Sequence, residues 1–454
     1  MARTPYSRLM LLPRIRLSSP GAGSHSRIRL RHAAVAASAA LLVLGPTAAT
    51  ASADPAPTLP AELSAAVQRD LKISPQEYLH RADLAQRVGA FATSAQRQFP
   101  QVFAGAWLDD AGKAVVALAQ GQGLDEARKA AQDAGFQVKD VAKSETSLRG
   151  EKNAFQQWLS GQPEAVAKAV RGVVIDTVNN SIAVRVDKAG LPMPGFVDPA
   201  RVIVMAAPPV GPEQSEAAAK PIAGERNSGP VAAGDAFASV AGRMQLVCSS
   251  GFNGTDGHGN VVNITAGHCD PNIPAAGSAN APGMFELLPG NHLGNQMGEF
   301  AKSVLGEQDY SIVSIDQGNQ DRFSNNLVRV PGAGPIAITG VATPVVGQPV
   351  CKSGSRTGFS CGVVNAVDQT VEVGDRNLTQ AFSANICALP GDSGGPIVSG
   401  TQALGISSAS SVADYPICEI PNLIGALTGN APQLFAQPLN AVLSDNPGLQ
   451  VRTN

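Results

Sequence analysis

Aromatic residues make up only 4% of the 454-residue chain and charged residues only 15%. Such scarcity of charge, beside 47 glycines and 33 prolines, argues against a helix-dominated protein and for a loop-rich, β-rich one. Cysteine is absent from the first 247 residues; all six, Cys248, Cys269, Cys351, Cys361, Cys387 and Cys418, come later. They form no C-x-x-C pair and have no adjacent second histidine, so a zinc site is set aside and no metal or cofactor is expected. Basic residues are sparse after Val231, where 8 Lys and Arg stand against 16 Asp and Glu, a balance of 8 − 16 = −8. An acidic domain of this kind is a poor nucleic-acid binder. No apolar run reaches the length needed to span a bilayer.

What is present begins with charge of one sign. Residues 1–31 carry seven arginines and no acid, followed by an apolar run over 33–44 and Ala51-Ser52-Ala53 before Asp54. Basic stretch, short apolar core and small-x-small site predict a secretory signal peptide over 1–53. The basic part is longer than usual, which points to a start downstream of Met1. The mature protein is then extracellular, with no membrane attachment after the signal is removed. An even cysteine count in an exported chain implies disulfides, with fifteen pairings open.

Three clusters carry chemistry. Residues 387–396 read Cys-Ala-Leu-Pro-Gly-Asp-Ser-Gly-Gly-Pro. A serine among glycines is ordinarily a turn. Acyl transfer, however, needs backbone N–H groups aimed at one oxyanion, and Gly391 lets its own amide and that of Ser393 converge. Upstream, Thr265-Ala266-Gly267-His268-Cys269 ends an apolar run, and Glu307-Gln308-Asp309-Tyr310-Ser311-Ile312-Val313 opens a predicted strand with an aspartate. The order His268, Asp309, Ser393 is one of three known chain orders for a Ser-His-Asp triad.

With these residues the chain resembles the chymotrypsin-like serine peptidases, in particular the bacterial secreted branch of alpha-lytic protease and the streptogrisins. The resemblance covers residues 231–454, with a matching pro-segment before them. It implies an all-β catalytic domain of two six-stranded antiparallel β-barrels, one over about 231–330 and the other over about 348–454, with 331–347 as the crossover. His268 and Asp309 would belong to the first barrel and Ser393 to the second. His268 would be the general base, Asp309 would hold its tautomer, and Gly391 and Ser393 would form the oxyanion hole. Sequential pairing is implied for the cysteines: 248–269, 351–361 and 387–418. In this branch an arginine in a short disulfide loop pairs the aspartate before the serine. Here Lys352 stands in that place, with Arg356 nearby, so Asp392 is expected to pair with Lys352 first and Arg356 second. Leu389, Ser408, Ala409 and Ser410 should line the substrate pocket. No charged residue lies in those stretches, so small or medium apolar side chains are expected at the cleaved position.

Residues 54–205 differ in style. Helix-like residues 124–131 and 163–170 alternate with hairpin-like pairs, 102–108 with 114–118 and 173–177 with 182–186, an α+β pattern. The resemblance makes this a pro-segment that assists folding and inhibits. Residues 206–230, rich in Ala, Pro, Gly and Glu, predict an exposed linker with the processing site, and the mature terminus is expected near Val231. Short runs at 244–248, 261–265, 310–315, 362–367, 370–373, 396–398 and 403–406 predict the strands of the catalytic domain. The expected function is a secreted, self-processing serine endopeptidase acting on proteins or peptides, bound by its own pro-segment as precursor and monomeric when mature. The alternative is a secreted protease-fold binding protein without catalysis.

Overall fold

The computed structural model describes residues 59–204, 229–373, 376–428 and 430–454. The signal peptide expected over 1–53 and most of the linker lie outside the described residues. The described residues form one compact unit.

The N-terminal part is α+β. Helices Ala61–Leu71 and Pro75–Gln98 come first, the second opened by Ser74, whose Oγ accepts from the Glu77 N–H, and by Pro75 at a tolerated first position. Phe103–Leu108 and Ala114–Ala119 form the expected hairpin, and Gln137–Val141 adds a parallel third strand. Helix Leu124–Asp133 lies where the sequence predicts it. The helix expected over 163–170 shrinks to Glu164–Ala167, because Val170 starts strand Val170–Asp176. Its β-branched Val173 buries with Ile182 and Val184 of the paired strand Ser181–Val186, and that packing outweighs local propensity. Helices 61–98 and Glu145–Ser160 were not anticipated.

Two sheets make up the C-terminal part. The first runs in the order Gln450–Val451, Phe252–Thr255, Val261–Thr265, Asp309–Ile315, His292–Leu305, Gly283–Leu288, Ala236–Ala241, Met244–Ser249. Met244–Ser249 and Phe252–Thr255 stand towards opposite ends of that order yet are joined by only Ser250 and Gly251. The sheet therefore curls back on itself around Phe237, Met284, Phe300 and Val313. The second runs Pro349–Gly354, Pro396–Ser399, Gln402–Ser410, Leu434–Pro438, Arg376–Ala384, Gly358–Val373, and the last pairs back with the first, closing six strands around Val350, Phe382, Ile397 and Leu404.

Two details depart from expectation. The two runs expected at 362–367 and 370–373 are one strand, Gly358–Val373. Asp368, at φ 49°, marks a bulge rather than a turn, and the register shifts around it. Gln450–Val451 pairs with Phe252–Thr255, so the chain end belongs to the first sheet and not to the barrel expected over 348–454.

The N-terminal part lies against the second barrel. Its strand Val170–Asp176 extends that sheet by pairing Gly172 and Val173 with Val371 and Thr370. Leu63, Val67 and Tyr78 pack with Phe359, Val398 and Ala403, and the Tyr78 hydroxyl accepts from the Gly400 N–H at 2.8 Å.

Candidate active site

His268 lies in a short 3-10 turn, Gly267–Cys269, directly after strand Val261–Thr265; Asp309 opens the neighbouring strand Asp309–Ile315. Because the two strands are paired, the turn after one meets the start of the other. The Asp309 carboxylate takes the His268 backbone N–H on Oδ1 at 2.9 Å and Nδ1 on Oδ2 at 2.6 Å. The Ser408 hydroxyl donates to the same Oδ2. Asp309 is 2% exposed. Burial alone would push its carboxyl up. The charge and hydrogen bonds of His268, with the Ser408 hydroxyl, outweigh that and hold it below the ordinary carboxylate range. A carboxylate on Nδ1 fixes the proton there and leaves Nε2 as the acceptor. Nε2 is buried and has no hydrogen-bond partner among the described residues.

Ser393 sits between strands Arg376–Ala384 and Pro396–Ser399, on a loop clamped from both halves of the catalytic domain. From the first half, the Ser249 N–H donates to the Ser393 carbonyl at 2.8 Å, and the Ser249 hydroxyl donates to the Gly391 carbonyl at 2.7 Å. From the second, the Ser355 hydroxyl donates to that Gly391 carbonyl at 2.9 Å. Gly391 holds φ 106° and Gly394 φ 81°, left-handed values that favour glycine. A Cβ on Gly394 would also fall 1.9 Å from Thr265 Oγ1. Neither the Gly391 nor the Ser393 N–H has an acceptor among the described residues. The Ser393 carbonyl lies 3.7 Å from Cys269 Sγ, beside His268, but no hydrogen bond joins His268 Nε2 to Ser393 Oγ.

Asp392, 1% exposed, is held by the backbone N–H groups of Arg356, Thr357 and Leu389 at 2.9–3.0 Å and by the Thr357 hydroxyl at 2.6 Å. The fully buried Lys352 brings Nζ to 3.5 Å from Asp392 Oδ2 and donates to Thr357 Oγ1, so Thr357 bridges the two charges. Burial pushes the Lys352 ammonium down, and the Asp392 charge acts against that shift. Arg356 contributes its backbone; its guanidinium instead donates to the Pro416 carbonyl at 3.2 Å. Disulfides join Cys248 to Cys269, Cys351 to Cys361 and Cys387 to Cys418. Cys248 and Cys269 lie within 4.8 Å of His268, but their sulfurs are bonded to each other and offer no thiolate to a metal.

A cavity of about 20 Å³ opens beside Ser393, lined by Leu389, Pro390, Ser407, Ser408, Ala409, Ser410, Ala413 and Leu434 among others. Leu389, Ser408, Ala409 and Ser410 all line this cavity, with Ser408 turning its hydroxyl to Asp309. Sequence reasoning missed Ser249, Ser355 and Thr357, and also Gln437, whose side-chain oxygen accepts the Asp309 N–H at 3.0 Å. Polar residues in strands and turns carry no signal until the fold brings them together. It also missed Val373, Arg376 and Leu378, which line a small recess with His268 and Asp309.

Two antiparallel sheets, the first of eight strands instead of the six expected and the second closed over six, hold this constellation in a chymotrypsin-like fold. No protein-family model matches the chain. Serine protease 2 of Streptomyces fradiae is 32% identical over 182 residues, 40% of this chain and 95% of its own. Glutamyl endopeptidase 2 of Streptomyces griseus is 35% identical over 164 residues, 36% of this chain and 79% of its own. Streptogrisin-C of the same organism is 28% identical over 408 residues, 85% of this chain and 79% of its own, so that likeness reaches well ahead of Val231. The chain belongs to the streptogrisin-like branch of the chymotrypsin-like serine peptidases and is a serine endopeptidase.

Proposed function

We propose that the chain is the precursor of an exported endopeptidase that releases itself from residues 54–205 and then cuts after small side chains. In this reading Ser393 Oγ attacks the substrate carbonyl and His268 Nε2 takes its proton, later returning it to the leaving amine. Asp309 keeps the proton on Nδ1 and stabilises the imidazolium as it forms. The Gly391 and Ser393 N–H groups receive the oxyanion. The observation that carries the reading is the pairing of a carboxylate-held imidazole, its Nε2 unpartnered, with two unpartnered N–H groups on the serine loop. The missing Nε2–Oγ hydrogen bond accords with contacts of this type tightening only once substrate is bound.

The pocket supports a small side chain at the cleaved position: 20 Å³ holds roughly one or two water-sized groups. Among the described residues its one charged lining residue, Asp392, is already taken up by four donors and Lys352. The lining has, among the described residues, no basic residue and no histidine, so the glutamate preference named for one relative is not carried over.

Val231 and Ala233 donate their N–H groups to the Arg322 and Leu327 carbonyls, and residues 231–233 are buried. That burial supports a mature domain starting close to Val231 and a cut on the N-terminal side of it. Lys352 is the proposed partner of Asp392, so the oxyanion hole would not await a new N-terminus. A fluorophosphonate probe tests the reading: the processed protein should be labelled on the peptide containing Ser393, and Ser393→Ala should abolish the label. Absence of labelling in correctly folded protein would sink the assignment of Ser393 as the nucleophile.

A further inference from the structure

Eleven large apolar side chains are exposed among the described residues, and five of them, Ile417, Ile420, Leu423, Ile424 and Leu427, fall in one short stretch. The stretch belongs to residues 411–433, which join strands Gln402–Ser410 and Leu434–Pro438, and both of those strands contribute to the pocket beside Ser393. It contains helix Glu419–Thr428. Ile420, Leu423, Ile424 and Leu427 follow the spacing i, i+3, i+4, i+7 and so share one helix face. That face points to solvent, with Leu423 62% and Leu427 78% exposed.

The buried side of the helix is made of Pro421 and Gly425, where a Cβ would come 2.9 Å from Ala431 Cα. Small residues inward and large apolar residues outward invert the usual polarity of a surface helix. Proline and glycine make the segment a poor helix by propensity. It is anchored instead by the Cys387–Cys418 disulfide, one residue before the helix and two residues from Leu389, and by the Arg356 bond to the Pro416 carbonyl.

We propose that this stripe is an accessory substrate-binding surface, which takes an apolar stretch of the protein substrate flanking the bond that enters the pocket. The inference rests on the peptidase reading of Ser393. Continuity with the pocket argues for it, because Ala413 of the same connection lines the cavity. Two other occupants fit less well. A ten-residue helix is about 15 Å long and ~10 Å wide. Its face thus offers on the order of 150 Å² against the roughly 800 Å² per partner of a stable protein pair. A second folded copy would be held by far too little. Residues 411–433 contain no Lys or Arg, only Asp414 and Glu419, in a domain already acidic, whereas anionic bilayers recruit basic faces. An extended apolar peptide needs neither a large footprint nor charge, since apolar contact stabilises in proportion to the area it takes from water.

The test compares three substrates of the processed enzyme made from the full chain. One is a short chromogenic peptide ending in alanine. The second is a peptide of about twenty residues with the same cleavage sequence flanked by Leu, Ile and Val, and the third has Ser and Gly in that flank. The parent enzyme should prefer the apolar-flanked peptide about tenfold in kcat/KM, mainly through KM. The double variant Leu423→Ser, Leu427→Ser should lose that preference and keep the short-peptide rate within about twofold. Equal rates on the two long peptides with the parent enzyme, or a preference that survives the double variant, would overturn the inference. So would a parent dimer that the variant abolishes, or binding of the parent to phosphatidylcholine vesicles that the variant loses. Failure of the short peptide and of fluorophosphonate labelling would overturn the peptidase reading as well, which separates the two failures.

Discussion

Asp309 accepts three hydrogen bonds inside the protein, two from His268 and one from Ser408. Removing the Ser408 donor leaves the carboxylate short of one partner where water does not replace it. Ser408→Ala should cost about 1–1.5 kcal/mol of transition-state stabilisation, near a tenfold loss in kcat/KM on a short substrate, with folding retained. An unchanged kcat/KM would show that the hydroxyl is dispensable. Asp309 also makes a pH prediction. Its folded-state pKa is depressed, so its contribution to stability is present above the unfolded carboxylate value of about 4 and is lost as pH falls through the lower folded value. In a Ser393→Ala background, urea unfolding should therefore show a larger penalty for Asp309→Asn at pH 6 than at pH 3. An equal penalty at both would contradict the assignment.

The serine loop is stable as an element because Asp392 ties it to residues 352–357. Lys352→Met would leave a fully buried carboxylate without its cation, a change that costs on the order of 3–5 kcal/mol. Arg356→Ala removes a guanidinium that reaches only an exposed carbonyl and should cost under about 1 kcal/mol. Chemical denaturation of both variants in the Ser393→Ala background decides between them, and a larger loss for Arg356→Ala would reverse the assignment of the partner. The choice between Lys352 and Arg356 could not be read from the chain, since both lie within five residues of Cys351. It depends on which side chain the turn at 354–357 directs inward. Helix Glu419–Thr428 was likewise illegible: its apolar stripe fits a core helix, and only the fold shows that stripe facing outward.

At the scale of the whole molecule, an acidic catalytic domain is held by basic groups from the N-terminal part. Arg149 pairs with Asp368, Arg171 with Glu372 at 3.2 Å, and Lys152 Nζ donates to the Asp368 carbonyl at 2.7 Å. Arg185 is buried against the Phe435 ring at 5.3 Å, and burial pushes its guanidinium down to about 10. On the proposed self-processing reading, Ser393→Ala expressed without other proteases should accumulate as a chain spanning about Asp54 to Asn454. The parent should yield a fragment beginning close to Val231. Clipping of the variant at the parent's site and rate would require an outside protease.

Short apolar runs bounded by turn residues made six of the fourteen strands in the two sheets of the catalytic domain legible, since local sterics and one-sided burial act within a few residues, while the other eight carry no such bounded run. The residues proposed as the triad were picked out by their chain order, and Ser393 also by the glycines that its loop requires. The helices at 61–98 and 145–160 were not, because their apolar positions become a pattern only against the surfaces they cover. The bulge at Asp368, the pairing of Gln450–Val451 with the first sheet and the hydroxyls of Ser249, Ser355 and Ser408 were decided by tertiary structure alone. Each depends on contacts between segments tens to hundreds of residues apart, and a serine in a strand or turn has no preferred partner until the two sheets dock.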